Sequence, residues 1–229
     1  MMNLHSLAEY IRETKKESNF SIYGISIFVD LENVNNLDYK SVVSKMTSVV
    51  PSHLYRGLDK IIIGPSEKLT KRKLQGMYNN RNIYLTGKQP SESEILDDLI
   101  HEVSHHVEKI YDKHIYSDNK IKKEFLNKRM KLKRALEMSG IPTMQHNFEN
   151  EKYSIEFDEY LYLTVGYKNL GVMSSTIFYS PYAATSLKEY FANGFEAFYM
   201  KEELTRLKKI SPQLYKKIIL LNNGGNEDV

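Results

Sequence analysis

Hydrophobic residues recur along this chain in two rhythms. Residues 21–30 (SIYGISIFVD) are dense in Ile and Val and read as a strand. Shorter runs of the same kind occupy 59–64 (DKIIIG), closed by Gly64-Pro65, and 81–87 (RNIYLTG), bounded by Asn79-Asn80 and Gly87. Between the first two, residues 37–50 read as a helix that stops before Pro51. From residue 92 to 111 the spacing changes. At about 100° per residue, Ile95, Leu96, Leu99, Ile100, Val103, Val107 and Ile110 fall in one broad arc that faces a core, with Ser91 or Ser93 as the cap. Residues 117–136 predict a strongly basic helix ended by Gly140 and Pro142. Residues 147–180, with scattered Tyr and Gly, predict irregular chain. A helix over 186–210 and another after Pro212 complete the pattern, flanked by a polar helical extension at 1–19 and a frayed tail at 222–229. Strands early and helices late predict an α+β protein. With no repeat and no linker, one domain spanning 1–229 is expected.

Composition narrows the function classes. The chain has 229 residues with 41% apolar and 27% charged, enough for a core and a solvated surface. A net charge of +3 is too mild to mark nucleic acid as the main partner. There is no run of 18 apolar residues, so no membrane partner is expected. The first twenty residues lack an apolar signal-peptide core, which predicts a cytoplasmic protein on synthesis, with release by another route left open. With no cysteine, any metal has to be held by His, Asp or Glu, a set that suits a catalytic zinc better than a structural one.

Such a set is present. His101-Glu102-Val103-Ser104-His105 spells H-E-x-x-H. On a helix, residues four apart share a face, so His101 and His105 can grip one Zn²⁺ while Glu102 points to where an activated water sits. Both histidines lie opposite the centre of the apolar arc and so face water or a cleft. The competing reading is a solvated face that carries two histidines by accident. His106 borders the arc and reads as a packed, hydrogen-bonded histidine, with a supporting role behind the metal ligands left open. His5, His53, His114 and His146 have no spacing partner and are expected at the surface.

A catalytic zinc takes a third protein ligand, usually from another element. The best source is 187–198 (LKEYFANGFEAF), where Leu187, Phe191, Phe195 and Phe198 form a stripe, and where Gly194 and Ala197 would let this helix pack closely on the one with the histidines. Glu189 lies off the stripe and Glu196 competes with it. Ser186-x-x-Glu189 is also a capping box, so spacing alone leaves Glu189 as ligand or as cap.

Taken together, H-E-x-x-H, then Glu189-Tyr190-Phe191-Ala192, and Tyr182 seven residues before Glu189, resemble the family of the anthrax lethal factor C-terminal peptidase, which includes small clostridial Pro-Pro endopeptidases. The resemblance covers roughly residues 55–205. It implies a zincin of gluzincin type, a small twisted sheet packed on an active-site helix, with a mostly helical C-terminal half. It implies His101, His105 and Glu189 as Zn²⁺ ligands, Glu102 as general base and Tyr182 as the group that steadies the oxyanion. Two departures stand out. The 88 positions from His101 to Glu189 exceed the family's usual spacing, which makes 117–180 an insertion. Asn193 stands where members often carry an acid, so its amide oxygen becomes the candidate partner of a ligand imidazole.

These expectations describe a zinc endopeptidase acting on a polypeptide substrate. The run Asn82, Ile83, Tyr84, Leu85 and Thr86 is the candidate edge strand for an extended peptide. The alternative is a weak or inactive zincin-fold binding protein, an accessory of a phage or toxin. The basic helix at 120–134 reads first as a solvated surface helix and is the sole hint of a nucleic-acid or acidic partner.

Overall fold

A computed structural model describes residues 17–72, 74–201 and 204–224. Most of the expected N-terminal helix (1–16), His5 and the end of the tail (225–229) lie outside the described residues. The fold is α+β, with a small mixed five-stranded sheet and many helices. By internal packing the chain forms two compact units, residues 1–106 and 107–229. No helix among the described residues is long and apolar enough to cross a membrane.

The first unit holds the sheet. Strands β1 (Glu17–Ile22) and β2 (Ile25–Asp30) form an antiparallel hairpin. The single strand expected at 21–30 is therefore broken in two, and residues 17–19 are strand rather than helix. The cause is Tyr23-Gly24, whose positive φ values of 49° and 84° build a two-residue turn that matches strand twist. Helices α1 (Tyr39–Val49) and α2 (Ser52–Tyr55) follow, then β3 (Lys60–Ile63), α3 (Glu67–Arg72), β4 (Gly76–Asn79) and β5 (Asn82–Leu85). The strand order is β1-β2-β3-β5-β4, with β2, β3 and β5 mutually parallel and β4 antiparallel to β5. Register places Ile27, Ile61 and Ile83 in one row and Val29, Ile63 and Leu85 in the next, all buried. Two apolar rows on one pleated face fix the register, because a slip by one residue would turn every one of them outward.

β5 thus lies inside the sheet. The expected edge at 82–86 is corrected: among the described residues the outer strand on that side of the sheet is β4. Its four residues carry one conventional strand former, Tyr78, and no alternating pattern, so periodicity does not reveal it. Its hairpin to β5 turns through Asn80 and Arg81, both at positive φ (47° and 66°).

Helix α4 (Glu92–Tyr116) begins at Ser91, whose Oγ accepts from the Glu94 N–H at 3.3 Å. The expected arc is buried with one exception, and Glu102, Ser104, His106, Glu108 and Ile115 are buried beside it. Ile110 is 49% exposed, immediately before Tyr111, where the backbone leaves helical geometry (φ −104°, ψ 18°).

The second unit is helical. After α5 (Lys120–Met138), the stretch expected to be irregular contains α6 (Ile155–Glu159), a π-helical turn (Tyr160–Val165) and α7 (Tyr167–Ser174). Gly166 at φ 78° separates the last two, and such short helical pieces are too brief for a 3.6-residue pattern to emerge. Helix α8 (Leu187–Met200) ends at Lys201 in the left-handed region, so the helix expected to run to 210 is interrupted before α9 (Leu204–Ile210). Helix α10 (Pro212–Asn222) starts with proline in its first turn. Phe125, Phe178 and Tyr190 meet with ring centroids 5.5–6.2 Å apart in the core of this unit. Gly194 is tight against α10: a Cβ there would sit 2.2 Å from the Leu214 side chain.

Candidate metal centre

One turn of α4 separates His101 from His105, and their rings stand edge to face with centroids 5.1 Å apart. Both are half-buried. Glu102, on the next face, is buried against β4: a Cβ added to Gly76 would come within 2.8 Å of its Oε1 and 2.9 Å of its Cγ. Four residues on, His106 stands over Tyr78, two residues along the strand, with ring centroids 5.5 Å apart. The spacing matches, since two strand residues rise about 6.7 Å and four helical residues about 6 Å. Helix and edge strand are therefore keyed at two points, a small residue opposite the carboxylate and a tyrosine opposite the imidazole. The role of Gly76 escapes sequence reasoning, because β4 itself escapes it.

His106 is a packed histidine. One ring nitrogen lies 3.2 Å from the Tyr78 hydroxyl and the other 3.2 Å from the Arg56 carbonyl oxygen. Burial lowers its pKa below the ordinary value, favouring the neutral ring. With both nitrogens engaged, its work is to hold α4 on β4.

The segment 180–193 is built separately. A short 3₁₀ turn, Tyr182–Ala184, leads to Ser186, whose Oγ accepts from the Glu189 N–H at 3.2 Å and so caps α8. The serine half of the expected capping box is thus present. The turn before it is held by Arg129 of α5, which is 1% exposed. Its Nη1 donates to the Ala184 carbonyl at 3.1 Å and its Nη2 to that of Asn147, while its guanidinium stacks 3.8 Å from the centre of the Phe157 ring. The basic helix is consequently not a purely solvated one. Lys128 and Arg129 are buried along with Ile121, Phe125, Leu132 and Leu136, because cations with long stems can reach buried carbonyls.

Asn193 donates from Nδ2 to the Glu189 carbonyl at 3.0 Å and accepts at Oδ1 from the Ser180 hydroxyl. These bonds tie the start of α8 to the loop before the 3₁₀ turn, fixing the backbone of residue 189. Tyr182 is half-buried. Burial, and after it the negative charges of Glu189 and Asp158, push its hydroxyl well above the ordinary tyrosine range, so it remains a proton donor. Asp158 accepts from Tyr153 at 2.8 Å and from Tyr167 at 3.2 Å, which gathers three tyrosines and two carboxylates into one neighbourhood. Tyr179, three residues before Tyr182, lies under the Arg206 guanidinium, 5.0 Å from its ring centre. Asp158, Tyr153 and Tyr167 lie in the stretch read as irregular. The tyrosines scattered through it were the available signal.

His101, His105 and Glu189 come together. Each offers one ligand atom, and these atoms all lie within 4.8 Å of one another. This group could hold a metal ion, and it contains Glu189 rather than Glu196. Comparison of the chain with protein-family models, with curated proteins and with solved structures found no match.

Proposed function

We propose that this protein is a zinc-dependent endopeptidase of the zincin kind, similar to the lethal-factor peptidase family. The observation that carries the reading is the convergence of one ligand atom each from His101, His105 and Glu189 within 4.8 Å. The donor set fits the ion: two imidazoles and a carboxylate, with no thiolate in the chain, are a common catalytic-zinc set that leaves a fourth position open. Zn²⁺ held there supplies Lewis acidity, polarising a peptide carbonyl and making water acidic enough to attack near neutral pH.

The chain's own residues do the rest. Glu102 takes the proton from the attacking water as its oxygen bonds to the scissile carbonyl carbon, then passes it to the amine nitrogen as the C–N bond breaks. Its burial against Gly76 holds the carboxylate in one place through both transfers. Tyr182, kept protonated, donates to the oxygen on which negative charge develops. The substrate is a polypeptide in extended form. It adds to the outer side of β4, where main-chain N–H and C=O groups supply binding without reading side chains. A peptide so bound passes the strand residue that touches Glu102.

The test is zinc analysis of the purified protein combined with cleavage of a peptide library by wild type and by Glu102→Gln. Zinc at one per chain with cleavage that vanishes in the variant supports the reading. Zinc at one per chain with no peptide cleaved points instead to a binding protein on the same scaffold.

A further inference from the structure

Helix α5 has a second face with different chemistry. Along it, Lys120, Lys123, Asn127, Lys128 and Lys131 recur at helical spacing and line one side of a cleft of about 900 Å³. The other walls are residues 175–177, the end of α9 and the start of α10. Six cationic side chains border this single concavity: Lys120, Lys123, Lys128, Lys131, Arg206 and Lys209. Among the described residues one acid lines it, Glu124, and both of its oxygens are occupied. Oε1 accepts from the Tyr190 hydroxyl at 2.8 Å and the Leu214 N–H at 3.1 Å, and Oε2 from the Gln213 N–H at 2.9 Å. That carboxylate caps the positive N-terminal end of α10, and its charge offsets part of that of Lys128.

Two of the cations are built into the walls. The Lys128 ammonium is buried and donates to the carbonyls of Ile177 and Ile210, closing the cleft floor from both sides. Arg206 donates to the carbonyls of Ser175 at 3.0 Å and Tyr179 at 3.2 Å. Around this fixed floor Lys123, Lys131 and Lys209 are exposed at the rim, able to turn inward. A low-dielectric concavity lined mainly by one sign of charge focuses its field and favours an anion, with Glu124 and the Lys120–Asp118 ion pair (3.7 Å) offsetting only part of the six cations.

We propose that this cleft binds a compact polyphosphate, of the inositol-polyphosphate or inorganic-polyphosphate class. Its volume is that of a small-molecule site rather than of a track for a polymer. Lysines act as adaptable point charges on phosphate oxygens, and the side chains of Ser175, Thr176, Asn127 and Gln213 add neutral donors. Among the described residues no aromatic side chain lines the cleft, so a nucleobase finds no face there to stack on, which separates this ligand from single-stranded nucleic acid. The proposal is independent of the metal centre and of any peptidase activity.

The experiment is isothermal titration of the full chain with sodium tripolyphosphate, and in a second arm with inositol hexakisphosphate, at low salt and at about 0.15 M salt. Saturable one-to-one binding that weakens as salt rises is expected. Lys123→Glu combined with Lys131→Glu, both at exposed positions, weakens it about tenfold or more as two charge-assisted contacts become repulsive. Lys40→Glu combined with Lys45→Glu, exposed on α1 and not part of the cleft lining, alters net charge equally and leaves binding within about twofold, since the contacts at the cleft and not the total charge hold the ligand. Far-UV circular dichroism checks folding, and Lys209→Ala serves in place of the double variant if that fails to fold. The proposal is overturned if binding does not saturate, if the α1 pair weakens it as much as the α5 pair, or if the α5 pair leaves it unchanged. Preference for a short single-stranded oligonucleotide over both phosphates, lost in the same variant, also overturns it in favour of nucleic acid.

Discussion

Lys128 and Arg129 are neighbours on one helix, yet they belong to regions built on opposite plans. Arg129 fixes the turn before Glu189, one of three half-buried donors whose ligand atoms fall within 4.8 Å. Lys128 lies in the floor of a cleft where six cations act together and no pair distance is critical. The proposed metal site rests on the mutual geometry of a few atoms, so each donor would be indispensable to it. The cleft depends on a summed field, so each charge contributes a share and salt erodes all of them. Total charge predicts neither. A chain of net +3 can still concentrate its lysines in one place and its candidate metal ligands in another.

Substitutions sharpen this contrast, beginning with the largest effect. Glu102→Gln lowers the rate of peptide hydrolysis by about 10²–10⁴-fold while zinc content stays at the wild-type level, as read by initial rates and elemental analysis. Tyr182→Phe lowers kcat by about 10²–10³-fold with little change in KM, the signature of a donor used only in the transition state. An unchanged kcat would transfer that role to another group. Gly76→Val forces a branched side chain into the Glu102 carboxylate and the Leu85 side chain, 3.1 Å from the glycine's Cβ position. It costs about 1–3 kcal/mol in chemical denaturation and takes activity with it.

The effect at the cleft is graded and leaves the proposed chemistry untouched. Burial lowers Lys128 from 10.5 to about 8. Between those values the unfolded chain binds more protons than the folded one, so stability rises as pH climbs from about 8 towards 10.5. The penalty for the buried charge is fully present below pH 8. Denaturation midpoints across this range check it, with Lys128→Met flattening the rise.

Local rules made much of this readable in the sequence. The i, i+4 geometry of His101 and His105, the apolar arc from Ile95 to Val107 and the Ser186 cap all follow from neighbours within one turn of helix. The three parallel strands were legible because Ile and Val fill them. What failed depended on partners far along the chain. Strand β4 is recognisable only once it is paired with β5, and with it went the edge of the sheet and the place of Gly76. The Tyr23-Gly24 turn splits a run that composition alone reads as continuous. Burial of Lys128 and Arg129 contradicts their residue type and is decided by carbonyls 49 to 82 positions and 18 to 56 positions away, respectively. Glu189 was named on a resemblance, since its spacing equally fitted a cap.

The most direct test of the metal centre is elemental analysis of wild type and Glu189→Ala, both purified with zinc supplied and then dialysed, with folding verified by circular dichroism. The account predicts one zinc per chain in the wild type and loss of that zinc in the variant. Zinc retained equally by both, or absent from a folded wild type, would contradict it.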